Sequence, residues 1–214
     1  MKRITFCALL MTLFLLISCN NSASSPKDGQ AAKSDGTLID LATISSKITE
    51  AVAFAKDVKE VHTLVKSIDE LAKAIGKKIK SDGQFDTESG KNGSLLAGAQ
   101  SIMLAVKAKL GHLENKEGFS TELKQKITDS KTKTETFLTK LKDNHSDLGK
   151  NEATDDDTKK AIKKDNDDKT KGAEELIKLN TAIDALFTAA EDAVTAAITQ
   201  LSTPAKSASS AKSN

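Results

Sequence analysis

The sequence contains no tryptophan and no tyrosine, and Arg3 is its only arginine. Proteins that read nucleic acids depend on arginine side chains and on aromatic rings that stack on the bases. This chain has seven phenylalanines, and beyond Arg3 every cationic side chain apart from histidine is a lysine. These absences argue against nucleic acid as a partner.

Cysteine and proline are also scarce, with two of each. Cys7 lies inside an apolar N-terminal run and Cys19 follows that run directly, so we expect a fold without disulfides. Pro26 and Pro204 lie near the two ends of the chain, and no proline lies between them. Because proline breaks helices, its absence leaves a long interior that can be helical.

Residues 1–18 have the pattern of a signal peptide. Two basic residues precede an apolar run at 4–17, which has the length of a secretion signal and is too short to span a bilayer. The residues at 16–19, LISC, then match the bacterial lipobox. We therefore expect cleavage before Cys19 and acylation of this residue, which would hold the protein on a lipid bilayer. The alternative is an ordinary signal peptide with a chance cysteine.

Residues 19–37 are interpreted as the lipidated N-terminus followed by a flexible tether. Between positions 20 and 36 there is no large apolar residue, so this segment cannot build a core. The formal net charge of +2 comes from the two basic residues of the signal, and the rest of the chain is formally neutral.

From Leu38 onwards, apolar residues recur at spacings of three and four, which predicts amphipathic helices. The first apolar stripe continues to Ile79 and predicts a helix of roughly forty residues. The segment at 81–93, SDGQFDTESGKNG, holds three glycines and predicts a turn with a small hairpin. A second helix is expected after Ser94 as N-cap and a third after Ser120.

Two segments have few large apolar residues. The stretch at 130–136 is polar, so the third helix is expected to be only partly buried or to bend there. Residues 149–172 carry runs of aspartate and lysine, with Ile162 as the only large apolar anchor. We expect them to form an exposed loop that holds one short helix at 155–163.

The resulting fold class is all-α. A last helix is predicted from about 170 to 201, and residues 202–214 are expected to be a disordered tail. Four substantial helices joined by short links predict an antiparallel four-helix bundle over 38–201. Its first and last helices are long, and a small hairpin follows the first.

No catalytic constellation can be found in the sequence, so we expect a protein that is not an enzyme and needs no cofactor. The histidines are far apart and lack a metal-binding motif, which argues against a metal site; they are His62, His112 and His145. A cluster of acids could bind a cation or a basic partner, but interleaved lysines favour a solvated, self-compensating loop; its members are Asp155, Asp156, Asp157, Asp165, Asp167 and Asp168.

One group of lysines is a candidate binding site. Lys77, Lys78 and Lys80 lie at the end of the predicted first helix, next to the predicted turn. As point charges they could attract a sulfated glycan or an anionic protein.

Five segments together resemble the surface lipoprotein family of Borrelia spirochaetes that contains outer surface protein C and the variable small proteins. They are spread in order over the chain: MTLFLLISCNNS at 11–22, SIDELAKAIGKKI at 67–79, NGSLLAGA at 92–99, ETFLTKLKDNHSDLGK at 135–150 and TKGAEELIKL at 170–179. The C-terminal TPAKSASSAKSN is unlike the tail of outer surface protein C and favours the variable small protein branch.

The resemblance implies a helical lipoprotein that is exposed on the outer membrane and forms homodimers through its first helix. It also implies a serotype antigen that evades host antibodies by antigenic variation. Members of the family differ in the host or tick components that they bind, so no ligand residue is transferred. Only Cys19 is carried over, because it lies in the matching lipobox.

Two other roles remain open at this stage. The chain could be an adhesin with a defined ligand site at the membrane-distal end or in the dimer cleft, or a lipoprotein that faces the periplasm and acts as a scaffold. The dimer is also open, because the apolar residues around Val52 on the first helix could equally be covered within the chain itself.

Overall fold

The computed structural model describes residues 30–32 and 38–202. By its internal contacts the chain divides into two units, an N-terminal unit (1–42 together with 204–214) and a helical unit (43–203). The predicted signal peptide, Cys19 and the predicted tail beyond residue 202 lie outside the described residues.

The N-terminal unit contains a small antiparallel pair of strands. Strand β1 (Gln30–Ala32) pairs with β2 (Leu38–Asp40), with Gln30 opposite Asp40. Strand β1 therefore falls within the segment interpreted as a flexible tether. The first helix begins directly after β2, three residues later than its apolar pattern suggested.

The described part of the chain is mostly helical. Its helices are α1 (Leu41–Ala72), α2 (Gly93–Glu114), α3 (Thr121–Asp143), α4 (His145–Leu148), α5 (Asp155–Ile162) and α6 (Ala173–Ser202). A second pair of strands, β3 (Lys77–Ile79) and β4 (Phe85–Thr87), lies between α1 and α2. The predicted short helix is thus present as α5, and the last helix begins three residues later than predicted.

Helix α1 is shorter than the roughly forty residues that its apolar stripe predicted. Turn hydrogen bonds follow Ala72, and Gly76 has a φ of 67°, a conformation that ends helices and favours glycine. Ile75 is still buried, but from the turn and not from the helix. Ile79 continues the spacing in the sequence, yet it is exposed in β3.

The predicted hairpin is confirmed, although its first strand begins at residue 77, before the predicted turn. Strands β3 and β4 pair antiparallel, with Lys77 opposite Thr87, Lys78 opposite Asp86 and Ile79 opposite Phe85. Gly83 has a φ of 80° in the connecting turn, which a glycine adopts without strain.

The core of the helical unit is built from one apolar stripe on each of the four long helices. The largest fully buried side chains come from all four of them: Phe54, Ile68, Met103, Leu110, Leu113, Ile127, Phe137, Leu176, Leu179, Ile183 and Leu186, with Ile162 added by α5. Helix α3 packs along both α2 and α6.

Ion pairs show how α1 runs relative to its neighbours. Asp57 and Glu60 on α1 contact Lys116 and Lys109, so residue numbers rise along α1 while they fall along α2. On the other side, Lys66 of α1 contacts Asp184 of α6. Helices α1 and α2 therefore run antiparallel where the first two contacts join them.

The sequence predicted that α3 is only partly buried or bends around 130–136, and the stretch is indeed only partly buried, but two of its polar residues face the core. The helix is continuous there, and both Ser130 and Thr134 are fully buried. Thr134 donates a hydrogen bond from its hydroxyl to the Ser130 carbonyl oxygen at 2.8 Å. A small hydroxyl side chain can satisfy itself in this way on its own helix, so it can face a core that has no other polar partner for it.

The start of α2 also differs from the prediction. The helix begins at Gly93, one residue before Ser94, and Asn92 precedes it without capping it through its side chain. At α3 the preceding serine caps the helix although the sequence lacks a capping box, because the Ser120 hydroxyl accepts a hydrogen bond from the Leu123 N–H at 3.2 Å.

Two leucines on α2 provide a matched test of the core. Leu110 is fully buried, whereas the Leu104 side chain is 51% exposed on the same helix. We expect Leu110→Ala to lower the free energy of unfolding by about 2 to 5 kcal/mol, because it removes buried methyl groups and leaves a cavity. Leu104→Ala should change it by no more than about 0.5 kcal/mol. Urea unfolding followed by circular dichroism measures both, and equal losses would contradict this assignment of the core.

Candidate functional site

The hairpin formed by β3 and β4 carries the lysines that the sequence singled out. Lys77 and Lys78 lie in β3, Lys80 follows it, and all three side chains are exposed. The other predicted site residue, Cys19, lies outside the described residues.

Strand geometry separates these lysines into two groups. Successive side chains of a strand point to opposite faces, and paired residues share a face. Lys77 therefore lies on the same face as Ile79, and Lys78 on the other face opposite Asp86. Lys80 donates its backbone N–H to the Gln84 carbonyl oxygen and lies on the face of Lys78. The three lysines consequently do not form one cluster.

The face that holds Lys77 is apolar. We call it the hairpin face and define it by Lys77, Ile79, Phe85 and Thr87. Ile79 is 77% exposed and Phe85 61% exposed, and the two are direct partners across the strands. The Lys77 ammonium lies 5.3 Å from the centre of the Phe85 ring, a distance typical of a cation–π contact.

The base of the hairpin is held by Asn92 and Asp155, which we call the hairpin clamp. The Asn92 side chain is almost completely buried. Its Oδ1 accepts a hydrogen bond from the Gly76 N–H at 2.8 Å. Its Nδ2 donates to the Ala153 carbonyl oxygen at 3.0 Å and to Asp155 Oδ1 at 2.8 Å. One amide thus joins the start of the hairpin to the segment that precedes α5.

Asp155 completes the clamp from the first turn of α5. Its Oδ1 also accepts a hydrogen bond from the Gly90 N–H at 2.9 Å. Donation by Gly90 and by Asn92 holds the pKa of the Asp155 carboxyl below its usual range, against the opposing effect of burial. Gly76 packs so closely on this carboxylate that a Cβ there would collide with it. The clamp therefore favours the ionised form of Asp155 and needs a glycine at position 76.

Sequence reasoning missed the clamp. Asp155 was grouped with the other acids of its segment, and Asn92 looked like an ordinary turn residue. The only local signal was the density of glycines around them, at positions 76, 90 and 93. Glycines can mark a close approach of two backbones, but they do not reveal which side chain approaches.

The segment at 149–172 is also more constrained than an exposed loop. Ala153, Thr158, Ala161 and Ile162 are buried, so the segment contributes to the core. The correction concerns exposure, since the short helix itself was predicted. Small residues such as alanine and threonine gave no apolar pattern, yet they fit where the chain packs closely.

Ion pairs hold the rest of this segment. Lys171 Nζ lies 2.6 Å from Asp157 Oδ1 and also contacts Asp147. Hydrogen bonds to Asp147 and Asp157 raise the pKa of Lys171, and donation from Lys171 and Thr154 lowers the pKa of Asp157. A hydroxyl and an N–H from Thr170 lower the pKa of Asp168 to about 2.

His62 and His145 contact ordinary protein partners. His62 Nε2 lies 3.0 Å from Asp184 Oδ1, and its ring stacks on Phe187 at 4.9 Å between centres. His145 Nδ1 lies 3.0 Å from the Lys142 carbonyl oxygen. Over residues 30–32 and 38–202, no group of histidine, cysteine, aspartate and glutamate side chains could hold a metal ion. Within these same residues, no helix is long and apolar enough to cross a membrane.

Neighbouring aspartates offer a test of the clamp. Asp155→Ala removes the acceptor of the Gly90 N–H and of one Asn92 donor, so amide exchange at residues 76 and 90 should become roughly tenfold faster. Asp156→Ala is the matched control. Asp156 lies in the same first turn, but its carboxylate pairs with Lys160, which is not part of the clamp. Hydrogen exchange followed by NMR measures both variants. The same increase in both would show that the clamp does not hold the hairpin.

The fold can be compared with that of a solved relative. The structure named Variable Small Protein 1 of Borrelia turicatae (VspA or Vsp1) superposes with a TM-score of 0.73 at 61% sequence identity. The match covers 76% of this chain and 99% of that one.

Sequence comparisons agree with this likeness. The family described as Lipoprotein matches residues 38–207. Variable small protein 11 of Borrelia hermsii is 47% identical over 212 residues, covering 96% of this chain and 99% of the relative. Outer surface protein C of Borreliella burgdorferi is 49% identical over 209 residues, covering 95% and 96%. The chain therefore belongs to the lipoprotein family of the variable small proteins and outer surface protein C, and it is a lipid-anchored protein exposed on the outer membrane.

Proposed function

We propose that this protein is a variable serotype antigen, which contributes to immune evasion by antigenic variation and has no enzymatic activity. The names of its relatives support a role on the cell surface. The observation that carries the proposal is the separation between a buried helical core and an exposed hairpin on the same chain.

This separation can be followed residue by residue. Between positions 77 and 91 only Asp86 and Gly90 are half-buried, and the other side chains or glycines are exposed. Substitutions at such positions usually change stability by no more than about 0.5 kcal/mol. The segment at 149–172 carries buried residues and ion pairs, so it tolerates less change than its polar sequence suggests. We therefore expect the hairpin to tolerate variation that leaves the fold intact.

The orientation of the protein follows from its anchor. Acylation at Cys19 places the lipid before α1, and the four long helices are interpreted as an antiparallel four-helix bundle. Helix α1 extends about 45 Å from residue 43 to Ala72 at 1.5 Å per residue. The hairpin follows its far end, so we place it on the side that faces away from the bacterial membrane.

We also propose that the protein forms a homodimer through α1. Ile44, Ile48 and Val52 form an apolar stripe near the start of this helix, and none of the three is buried within the chain. In sedimentation at micromolar concentration the helical unit should behave as a dimer, and Val52→Lys should make it monomeric. Leu104→Lys is the control, because Leu104 is an exposed leucine on another helix. If the unsubstituted helical unit is monomeric, the protein does not form a dimer through this stripe of α1.

A second candidate function is that of an adhesin for a host or tick ligand, either a glycosaminoglycan or a protein. The specific observation in its favour is the hairpin, which exposes Lys77 next to two large apolar side chains and Lys78 and Lys80 on its other face. The two roles can coexist, because a surface that binds a ligand is also accessible to antibodies.

Antibody binding to intact cells tests the antigen role. Serum raised against cells that express this chain should bind those cells. Binding should fall severalfold when the exposed hairpin residues are changed by Ser81→Lys, Gln84→Glu and Glu88→Lys. Exposed substitutions on the side of α2, Gln100→Lys and Ser101→Lys, should have little effect. Serum that binds the hairpin variant as well as the original would contradict the proposal.

The same cells test the anchor. Cys19→Ala removes the thiol that would be acylated, so antibody binding at the surface should be lost. Cys7→Ala, within the predicted signal, should leave it unchanged. Equal surface binding by the two variants would show that Cys19 is not the anchor.

A further inference from the structure

The hairpin face exposes two large apolar side chains side by side. Ile79 and Phe85 are cross-strand partners, and both remain mostly exposed in the helical unit. Exposed apolar residues are common singly, but an adjacent aromatic and aliphatic pair at the end of a domain is a feature of surfaces that bind something.

Charge is distributed unequally over the two sides of the hairpin. The hairpin face contains Lys77 and no acid. Asp86 lies on the other side opposite Lys78, and Glu88 continues that side, since its N–H donates to the Gly76 carbonyl oxygen. Asp82 turns its carboxylate back to accept the Gln84 N–H at 2.9 Å. The apolar side thus carries one lysine and no acid, whereas Lys78 and Lys80 share the other side with Asp86 and Glu88.

The size and shape of this face narrow the kinds of partner that it fits. Two such side chains provide roughly 300 Å² of contact, whereas a stable protein interface needs about 800 Å² from each partner. A projecting hairpin is convex, so it cannot enclose a small molecule as a pocket does. A lipid bilayer requires neither a large area nor a complementary hollow, because apolar side chains sink into the boundary between headgroups and acyl chains.

The charges fit the same partner. A lysine beside buried apolar groups can lay its carbon chain along them and keep its ammonium among the headgroups. Lys77 is placed in this way over Phe85. Anionic headgroups attract lysines near the surface of a bilayer, and no acid on the hairpin face opposes the charge of Lys77.

The hairpin clamp makes the surface ready for contact. Because Asn92 and Asp155 already fix the base of the hairpin, docking would order little additional backbone. A short exposed hairpin without such support would lose conformational entropy on contact.

We propose that the hairpin face docks on the anionic surface of a second lipid bilayer, with Phe85 and Ile79 inserted at the interface and Lys77 among the headgroups. This proposal rests on the adhesin candidate but replaces the glycosaminoglycan or protein ligand considered there with lipid. The second bilayer is chosen over the anchoring one because the hairpin follows the end of α1 opposite to residue 43.

The absence of tryptophan from the chain allows a direct test. Phe85→Trp places a single fluorophore on the hairpin face. The acylated full-length variant is anchored in phosphatidylcholine vesicles and mixed with acceptor vesicles of phosphatidylcholine and phosphatidylserine whose acyl chains carry bromine. We expect a blue shift and strong quenching of the tryptophan by the acceptor vesicles, since bromine quenches only a fluorophore within the bilayer.

Further variants test the contributions of the individual residues. Ile79→Ser, introduced into the Phe85→Trp variant, should weaken the apparent affinity for the acceptor vesicles roughly tenfold, because apolar surface that would be buried is lost. Lys77→Gln should weaken it only for acceptors that contain phosphatidylserine. Leu104→Trp is the matched control, since it places the fluorophore at an exposed leucine on α2, and it should not be quenched. Circular dichroism verifies that every variant keeps its helices.

Several outcomes would overturn the proposal. One is a tryptophan at position 85 that acceptor bromine does not quench, and another is quenching only when the bromine is in the anchoring vesicles. Clustering of the protein-bearing vesicles among themselves would indicate contact between copies of this chain. The protein could instead be retained on heparin without being quenched by lipid. If charge reversal at Lys77, Lys78 and Lys80 abolishes that retention, the adhesin role stays and its ligand is a glycan. Failure of both lipid and heparin binding would count against the lysine-based adhesin role itself.

Discussion

The burial of one apolar stripe on each of four long helices is the constraint on which the rest of this structure depends. Phe54, Met103, Phe137 and Leu186 each come from a different helix and are all essentially inaccessible to water. No cysteine lies between Cys19 and the C-terminus, so no disulfide supports this core. The solvent-facing sides of the helices and the hairpin can change only because the stripes alone hold the helices together.

Polar contacts then fix the position of the hairpin at the end of the helical unit where the chain leaves α1. Asn92 is buried at 2% exposure, and its amide satisfies three groups, which come from Gly76, Ala153 and Asp155. Leaving any of these groups unpaired would be costly, so the hairpin has one defined position. A hairpin held in this way can be recognised by antibodies and can present Ile79 and Phe85 as a docking surface.

Much of the helical architecture could be predicted, because it depends on local periodicity. The stripes of α2 and α6 followed from spacing. The end of α1 did not, since Ile75 and Ile79 continue the spacing while the chain has already turned at Gly76. Burial of Ser130 and Thr134 was also unpredictable from polarity, because their environment is provided by residues far away in the sequence.

The sequence by itself determined the helical class, the candidate lipid anchor at Cys19 and the family, since each of these depends on contiguous residues. Tertiary structure decided which lysine lies beside Phe85, because strand pairing separates Lys77 from Lys78. It also decided that Asp155 differs from its neighbour Asp156, since only Asp155 meets Asn92 and the Gly90 N–H. The physical reason is that hydrogen bonds and strand pairs join residues distant along the chain, and no local pattern encodes which of them meet.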